Sequence, residues 1–516
     1  MDTSLPLSNR CLLLSAVAVG LVVALVLLAT SPMLPMTWDE GDALRRAEQI
    51  GGGRWEFTTE REGHPAGFGM VIAAGWRMAG GWLPPLLAAR FGPILLFACA
   101  AAALFYRLGR DYSLVAGLAG AAALMLLPRM FAHAHVAAGD GPLTACWILA
   151  WAAFALARQG WKGAVTWGAV LGLTLSMKAT GWLAPVPFVL WAAAYRDRPA
   201  GRALVVGLPV ALAVFFLMNP PLWRDPITGW TTFFQLNLGR AAAELNISTQ
   251  FLGRMYNLDH PLPWYNTLFW TAVTAPLGLL ALAGVGVVAT LRRPKSRSME
   301  MLVVLNWLLL LVVRALPGVP VHDGVRLFLP SFAFLAALAG IGTHEVYRWA
   351  SQRWPADRRM CVLTGTALLS IYAACSVNLW LYAPQWLSYY NLAIGGLPGA
   401  AAAGMEPTYW WDALDREALD WLHANTAGDE KIRFAAPSPD NLSWMNQWGV
   451  LRRGWHVSHA GRYRWYVIQH RPSAWQPSDH RLLENAVPVY RKTLLGVPLL
   501  SVYDYRDFER ASSIER

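Results

Sequence analysis

Charge is scarce in this sequence. Asp, Glu, Lys and Arg make up 15% of its 516 residues, where a soluble domain carries about a quarter. Apolar residues make up 55%, and they gather into long blocks instead of the amphipathic stripes a water-soluble fold needs. This excludes a string of soluble domains, which length alone would allow. Cysteine is sparse too. Cys11, Cys99, Cys146, Cys361 and Cys375 all fall inside apolar blocks, and an odd count with none in polar segments excludes a disulfide framework. No internal repeat marks two matching halves, and no closed set of metal ligands is visible. The formal net charge is +11, but the basic residues sit mainly in short linkers between apolar blocks, so nucleic acid is not the expected partner.

What is present is a polytopic α-helical membrane protein. Apolar blocks near 12–30, 85–106, 112–127, 141–157, 161–176, 181–195, 203–218, 266–291, 300–316, 327–347 and 361–382 predict about eleven transmembrane helices. Twenty-seven Trp suit a chain with many membrane interfaces. Arg10 precedes the first block, as in a signal peptide or a signal anchor. The block is long and no clear small-x-small cleavage site precedes Pro32, which favours a retained helix.

Linkers on one side carry Arg107/Arg110, Arg158/Lys162, Arg196/Arg198/Arg202, Arg292/Arg293/Lys295/Arg297 and Arg348/Arg353/Arg358/Arg359. The other side carries the long loops 31–84 and 219–265, the short loop 317–326, and everything after 382. The positive-inside rule puts the arginine-rich side in the cytoplasm. An odd number of spans then predicts an extracytoplasmic C-terminal segment. Two domains follow: a membrane domain over 1–382 and a small α/β domain over 383–516. In the latter, Tyr409–Asn425 has helical spacing, and Arg464–Ile468 and Val487–Tyr503 alternate as strands. A parallel sheet is one arrangement of it. It holds no catalytic constellation and no phosphate loop, and Tyr409, Trp410 and Trp411 read as core before they read as sugar-binding.

Acidic residues crowd the first outside loop, with Asp39, Glu40, Asp42, Glu48, Glu56, Glu60 and Glu62 between Met36 and Gly63. A loop without positive bias explains Glu56 and Glu60. It explains Asp39-Glu40 less well, because these stand at the membrane surface behind Pro35 and Trp38. After them, Ala43, Leu44, Ala47 and Ile50 have the spacing of a helix with one apolar face, suited to lying on the membrane.

A series of short motifs then becomes informative: Trp38-Asp39-Glu40 after the first span, Gly63-His64-Pro65 at the end of the loop, Asp140-Gly141-Pro142-Leu143, Lys178-Ala179-Thr180-Gly181, and Arg326-Leu327-Phe328-Leu329-Pro330. In this order, and on one membrane face, they resemble the C-type (GT-C) membrane glycosyltransferases, family 39-like and related to protein O-mannosyltransferases and lipid A aminoarabinose transferases. The likeness spans most of the membrane domain. One departure is Gly63, where family members often carry an acidic residue; here Glu62 lies one place earlier.

The resemblance implies a GT-C fold in a cell membrane, a bacterial inner membrane in this reading. It also implies a polyprenyl-phosphate sugar donor, inversion at the sugar carbon, and a lipid, glycan or protein acceptor. A hydroxyl acceptor must lose its proton as it attacks, so a carboxylate is needed within hydrogen-bond reach. Asp39 is the candidate base, with Glu40 and Asp140 as companions that orient the acceptor or tune Asp39. The leaving phosphate calls for fixed cations in a water-poor site, and Lys178, Arg326 and His64 are the candidates. Other readings stay open: Lys178 reaching for lipid headgroups, and Arg326 pairing with Asp323. Glu62, His133 and His135 are candidate ligands for a divalent metal, and metal dependence is left open. Asn246-Ile247-Ser248 and Asn441-Leu442-Ser443 match a glycosylation acceptor pattern that is common by chance. The aromatic loop 219–265 either caps the catalytic cavity or anchors in the interface. The competing functions are a transporter or lipid flippase, which would show internal repeats, and a scaffold, in which Asp39, Asp140, Lys178 and Arg326 would lie scattered.

Overall fold

The structure is a computed structural model that describes residues 8–239, 247–292, 299–320, 322–428, 430–436, 438–452, 454–455 and 463–513. Arg293, Lys295, Arg297 and Asn246 lie outside the described residues.

Every apolar block predicted to span is helical. The first, Asn9–Thr30, starts where the Ser8 side chain accepts from the Cys11 N–H, satisfying one orphan donor of the first turn. Later blocks form Pro85–Asp111, Leu114–Leu126, Asp140–Ala157, Trp161–Met177, Pro185–Tyr195, Arg198–Leu217, Met299–Val313, Leu329–Arg353 and Arg358–Leu381. By length and composition alone the described residues give fewer spans than the eleven or so expected. Among the described residues six helices are long and apolar enough to cross a bilayer, and seven if one bent pair is counted as one span. The bend, 77° between Leu114–Leu126 and Pro128–His135, falls at Pro128, which lacks the N–H a continuous helix needs. Ala179–Tyr195, Leu277–Arg292 and Met299–Val313 are apolar but shorter. At 1.5 Å per residue a 15-residue helix rises only about 22 Å, short of the roughly 30 Å hydrocarbon core.

The block at 266–291 is broken into Asn266–Thr274 and Leu277–Arg292, again at a proline, Pro276. The carbonyls freed by the break are taken up by Asn391, whose Nδ2 donates to Ala272 O (2.6 Å) and Ala275 O (2.7 Å) and whose backbone N–H donates to Val273 O (2.8 Å). The chain after the last long helix is thus wedged into the helical body. Arg326–Arg353 is buried along most of its length, whereas Arg358–Leu381 is almost wholly exposed, as expected of a central helix and a peripheral, lipid-facing one.

The C-terminal region carries a four-stranded sheet of β3 (Lys431–Phe434), β4 (Tyr463–Gln469), β5 (Tyr490–Leu494) and β6 (Val497–Asp504), in the order β3-β4-β6-β5. Residues 249–251 and 254–256 form a separate two-stranded ribbon (β1 and β2). The four-stranded sheet is mixed rather than parallel: β3 and β4 run parallel, while β4/β6 and β5/β6 are antiparallel. The β5–β6 hairpin turns at Leu495 and Gly496, both with positive φ, the geometry of the tight hairpins that match strand twist. One face of the sheet (Ile432, Val467, Leu499, Val502) joins the core of the helical body, and the other (Tyr466, Ile468, Tyr503) packs with Leu482 and Phe508. The helix predicted from Tyr409 begins only at Arg416, capped by Asp415. Trp411 is in the left-handed region, which stops a helix from forming over 409–413.

The segments predicted to lie on one side share one end of the molecule. Asn237 Nδ2 donates to Gly63 O (2.8 Å), Gly253 N to Gly404 O (3.0 Å), and Asn441 Nδ2 to Thr37 O (2.8 Å). The helix Glu40–Gly51 has the expected apolar face, but Ala43, Leu44, Ala47 and Ile50 are buried against the protein itself and not laid on the membrane. Its N-terminal turn packs on Pro439–Gln447 of the C-terminal region, where Gly41 N donates to Asn441 Oδ1 (2.7 Å) and Trp444 Nε1 to Gly41 O (3.1 Å).

Candidate active site

Four segments distant in sequence bring their charges to this end. Asp39 caps the helix Glu40–Gly51, and its neighbour Trp38 is held by the C-terminal region: Trp38 N donates to Trp410 O (3.1 Å), and the indoles of Trp38 and Trp411 lie 4.3 Å apart. Asp140 is the first residue of Asp140–Ala157. Lys178 is extended (φ −161°, ψ 154°) between two helical stretches, so its side chain leaves the helix axis. Arg326 opens the short helical turn that leads into Leu329–Arg353.

These four residues form one charge network. Arg326 Nη1 lies 2.5 Å from Asp39 Oδ2, Arg326 Nη2 3.0 Å from Asp323 Oδ2, and Arg326 Nε 3.7 Å from Asp140 Oδ2. Lys178 Nζ lies 2.6 Å from Asp140 Oδ1. Arg326 therefore makes the expected pair with Asp323, and a second one with Asp39. Lys178 faces Asp140 instead of lipid headgroups. Asp140, Asp323 and Arg326 are each less than a tenth exposed, whereas the Asp39 side chain is 38% exposed. Asp39 is thus the carboxylate of the network that an incoming molecule can reach.

The network extends into residues that sequence reasoning missed. Arg471 Nη1 pairs with Asp323 Oδ1 (3.0 Å), its Nε lies 3.7 Å from Glu406 Oε2, and its guanidinium sits over Trp411 (4.1 Å). Burial alone would raise the Asp323 carboxyl, but Arg326 and Arg471 outweigh it and bring it down to about 2. Trp410 lies under Arg326 (4.8 Å) and beside His133 (4.8 Å), so Trp410 and Trp411 belong to the walls of the site and not only to the core. Arg471 gives no local signal in a surface-rich stretch. Arg129, buried among the rings of Trp270, Tyr390 and Tyr409, has one: it stands just past the apolar block 112–127, where a charge is costly unless used.

The other candidates are placed elsewhere. Glu40 turns its wholly buried carboxylate away from Asp39, onto Arg90 Nε and Nη2 (both 2.8 Å), Thr37 N (2.9 Å) and Ala137 N (2.9 Å). His64 leads into Gly67–Ala79 and packs edge-on against Phe68 (6.4 Å). Glu62 pairs with Arg46 and, at 3.5 Å, with Arg45. His133 Nε2 shares a hydrogen bond with Tyr409 OH (2.9 Å), and His135 Nε2 with Thr30 Oγ1 (2.7 Å). Glu62, His133 and His135 therefore do not converge, and among the described residues no group of three or more His, Cys, Asp or Glu is arranged to hold a metal. In the 219–265 loop, Trp230, Phe233 and Phe234 pack on Trp182, leaving Trp223 and Trp264 as its exposed indoles.

Apolar helices, one buried central helix and a charge network at one end define a polytopic helical protein suited to a membrane. No known family model matches the chain, and no curated protein sequence does. Its fold is similar to that of ArnT from Cupriavidus metallidurans, seen bound to undecaprenyl phosphate (15% identity, 95% of this chain and 97% of that chain, TM-score 0.51) and in the apo state (14% identity, the same coverage, TM-score 0.52). A looser likeness is to the archaeal oligosaccharyltransferase AglB from Archaeoglobus fulgidus (12% identity, 87% of this chain and 61% of that chain, TM-score 0.48).

Proposed function

We propose that the protein is an inverting glycosyltransferase that moves a sugar from a polyprenyl-phosphate donor to a hydroxyl acceptor at the extracytoplasmic membrane face. One observation carries the reading: Asp39, Asp140, Lys178 and Arg326, from four distant segments, form one contiguous network in which only Asp39 is substantially open. A scaffold has no need to assemble buried charges in this way, because each must be paired to offset its desolvation. The ArnT-like fold, with undecaprenyl phosphate bound in one such structure, supports a lipid-phosphate donor. The arginine-rich linkers on the opposite side support the assignment of the face.

In the reaction, the acceptor oxygen forms a bond to the anomeric carbon as the bond from that carbon to the phosphate oxygen breaks. The acceptor proton passes to Asp39 and the electron pair leaves on the phosphate. Arg326 orients Asp39 through Oδ2, and among the described residues Oδ1 has no hydrogen-bond partner, so it is available to the acceptor hydroxyl. Lys178 and Arg326 hold Asp140, which borders the acceptor site. The test is incubation of purified protein with a panel of polyprenyl-phosphate sugars, followed by mass spectrometry. Donor consumption that Asp39→Asn removes, with folding intact, supports the reading. Consumption of none of the panel by the wild type, or full activity in D39N, sinks the reaction or the base respectively.

A further inference from the structure

An apolar groove lies where the C-terminal region meets the ends of two long helices. Met33 and Met36 follow the helix Asn9–Thr30, Leu86 stands at the start of Pro85–Asp111, and Leu419, Met445 and Val450 come from the C-terminal region. The groove has an accessible volume of about 330 Å³, within the roughly 300–1,000 Å³ of ligand sites. None of Asp39, Asp140, Lys178 and Arg326 lines it.

The two helices fix its height. Asn9–Met33 and Pro85–Asp111 are both long and apolar enough to cross a bilayer, and they are in contact, since a Cβ at Gly20 would lie 3.3 Å from Ala98 O. One ends and the other begins at the groove, so the groove sits at the boundary between hydrocarbon and headgroups. An exposed file of side chains leads up to it. Leu21, Leu25, Ala29 and Met33 recur at four-residue steps and are all exposed, one stripe along the helix that ends on the groove floor. Met33 is 47% exposed and Val450 36%. Water against this apolar mouth is unfavourable, whereas a hydrocarbon chain running up the stripe enters it without leaving apolar surroundings.

Above the apolar floor the rim carries both signs of charge. Arg416 and Asp420 are one turn apart on Arg416–Asn425, with 3.8 Å between Nε and Oδ2, and their side chains are 93% and 69% exposed. So open a pair holds little energy of its own, and both charges are free to turn to a ligand. Asp415, also on the rim, is already neutralised by Lys492 at 2.7 Å. A purely anionic headgroup would meet the Asp420 carboxylate as well as Arg416. A headgroup with a phosphate and an ammonium finds a partner for each.

We infer that the groove binds one phospholipid of the surrounding leaflet, with an acyl chain between Met33 and Val450 and a phosphoethanolamine headgroup across Arg416 and Asp420. The lipid is a bound partner and not a substrate. It fills the joint between the membrane helices and the C-terminal region, and it steadies the segment from Pro32 to Met36 that leads to Asp39. This site stands whether or not the reaction proposed above is correct.

The test is native mass spectrometry and thermal melting of the delipidated protein in detergent, titrated with phosphatidylethanolamine, phosphatidylcholine or phosphatidylglycerol. The wild type is expected to retain one phosphatidylethanolamine, to prefer it over the other two, and to melt several degrees higher with it. Arg416→Glu, which reverses one charge of the rim, should weaken binding by about fivefold, the upper worth of an exposed ion pair. Val450→Asp, which puts a charge in the apolar mouth, should weaken it by about tenfold or more. Equal shifts with all three lipids, or unchanged binding in both variants, overturns the site. A preference for phosphatidylglycerol that R416E abolishes overturns the headgroup assignment, and chemical conversion of the bound lipid overturns its role as a partner. If V450D does not fold, R416E and Asp420→Lys carry the comparison, because both side chains are exposed; unchanged binding in that pair rejects the site.

Discussion

Asp39 and Glu40 are neighbours in the chain and opposites in the structure. Glu40 is wholly buried, and its partner Arg90 spends its remaining donors on the carbonyls of Ser31, Leu34 and Pro35. Every charge there is met by a fixed group of the protein. Asp39 faces the other way, with one ion-pair partner and an open side. A closed network fastens the first loop to the helices beneath it, whereas an open one keeps unsatisfied capacity for a substrate. Under the proposed function, these adjacent acids divide structural and chemical work by the direction in which one helical turn aims them.

Substitutions can break this contrast. The largest effect is expected for Asp39→Asn: transfer falls by about 10²–10⁴-fold, the usual contribution of a general base, while the melting temperature stays near wild type. A loss of folding in D39N with no specific loss of rate would erase the distinction between the two acids. Glu40→Gln is expected to do the reverse. It leaves Arg90 as an uncompensated buried charge, a loss of about 3–5 kcal/mol, read as a large drop in melting temperature in detergent; an unchanged melt would contradict the structural role. Lys178→Gln is expected to cost a charge-assisted hydrogen bond, about 1.5–3 kcal/mol, and to slow transfer by roughly ten- to a hundredfold; equal rates would remove Asp140 from the acceptor site.

The smallest effect concerns a carboxyl outside both networks. Burial raises Asp412 to about 6 against the opposing hydrogen bond from Thr408, and among the described residues its Oδ2 has no hydrogen-bond partner. A raised carboxyl is favoured protonated in the fold, so its stabilising share is complete below about pH 4 and is lost as pH rises to 6. Asp412→Asn should therefore stabilise the protein by about 1–3 kcal/mol above pH 6 and by little below pH 4. Melting curves at pH 4 and 7.5 check this, and a gain of the same size at both would reject it.

Much of the architecture was legible because membrane physics is written locally. A run of apolar residues without charge has to be a helix in lipid, and each block predicted from that rule is helical. The rule failed where prolines intervened. Pro128 bends one element and Pro276 breaks another, and whether a broken helix still spans depends on partners such as Asn391, more than a hundred residues away. Whether the sheet is parallel or mixed was not legible, because alternation reveals strands but not their pairing. Of the site, Asp39, Asp140, Lys178 and Arg326 were visible as charges in costly places. Glu40 was visible for the same reason and belongs elsewhere, since sequence gives the cost of burying a charge but not the partner that offsets it.

By itself, then, the sequence determined that this chain lives in a membrane, where its helices fall, and which few charges cannot be incidental, because hydrophobic length and charge scarcity act residue by residue. Only the tertiary structure decided how those charges are shared. It set Asp39 open and Glu40 closed, and drew Asp323, Arg471 and Trp410 into the network, because pairing in a low-dielectric interior depends on distances of a few ångströms between segments far apart in the chain.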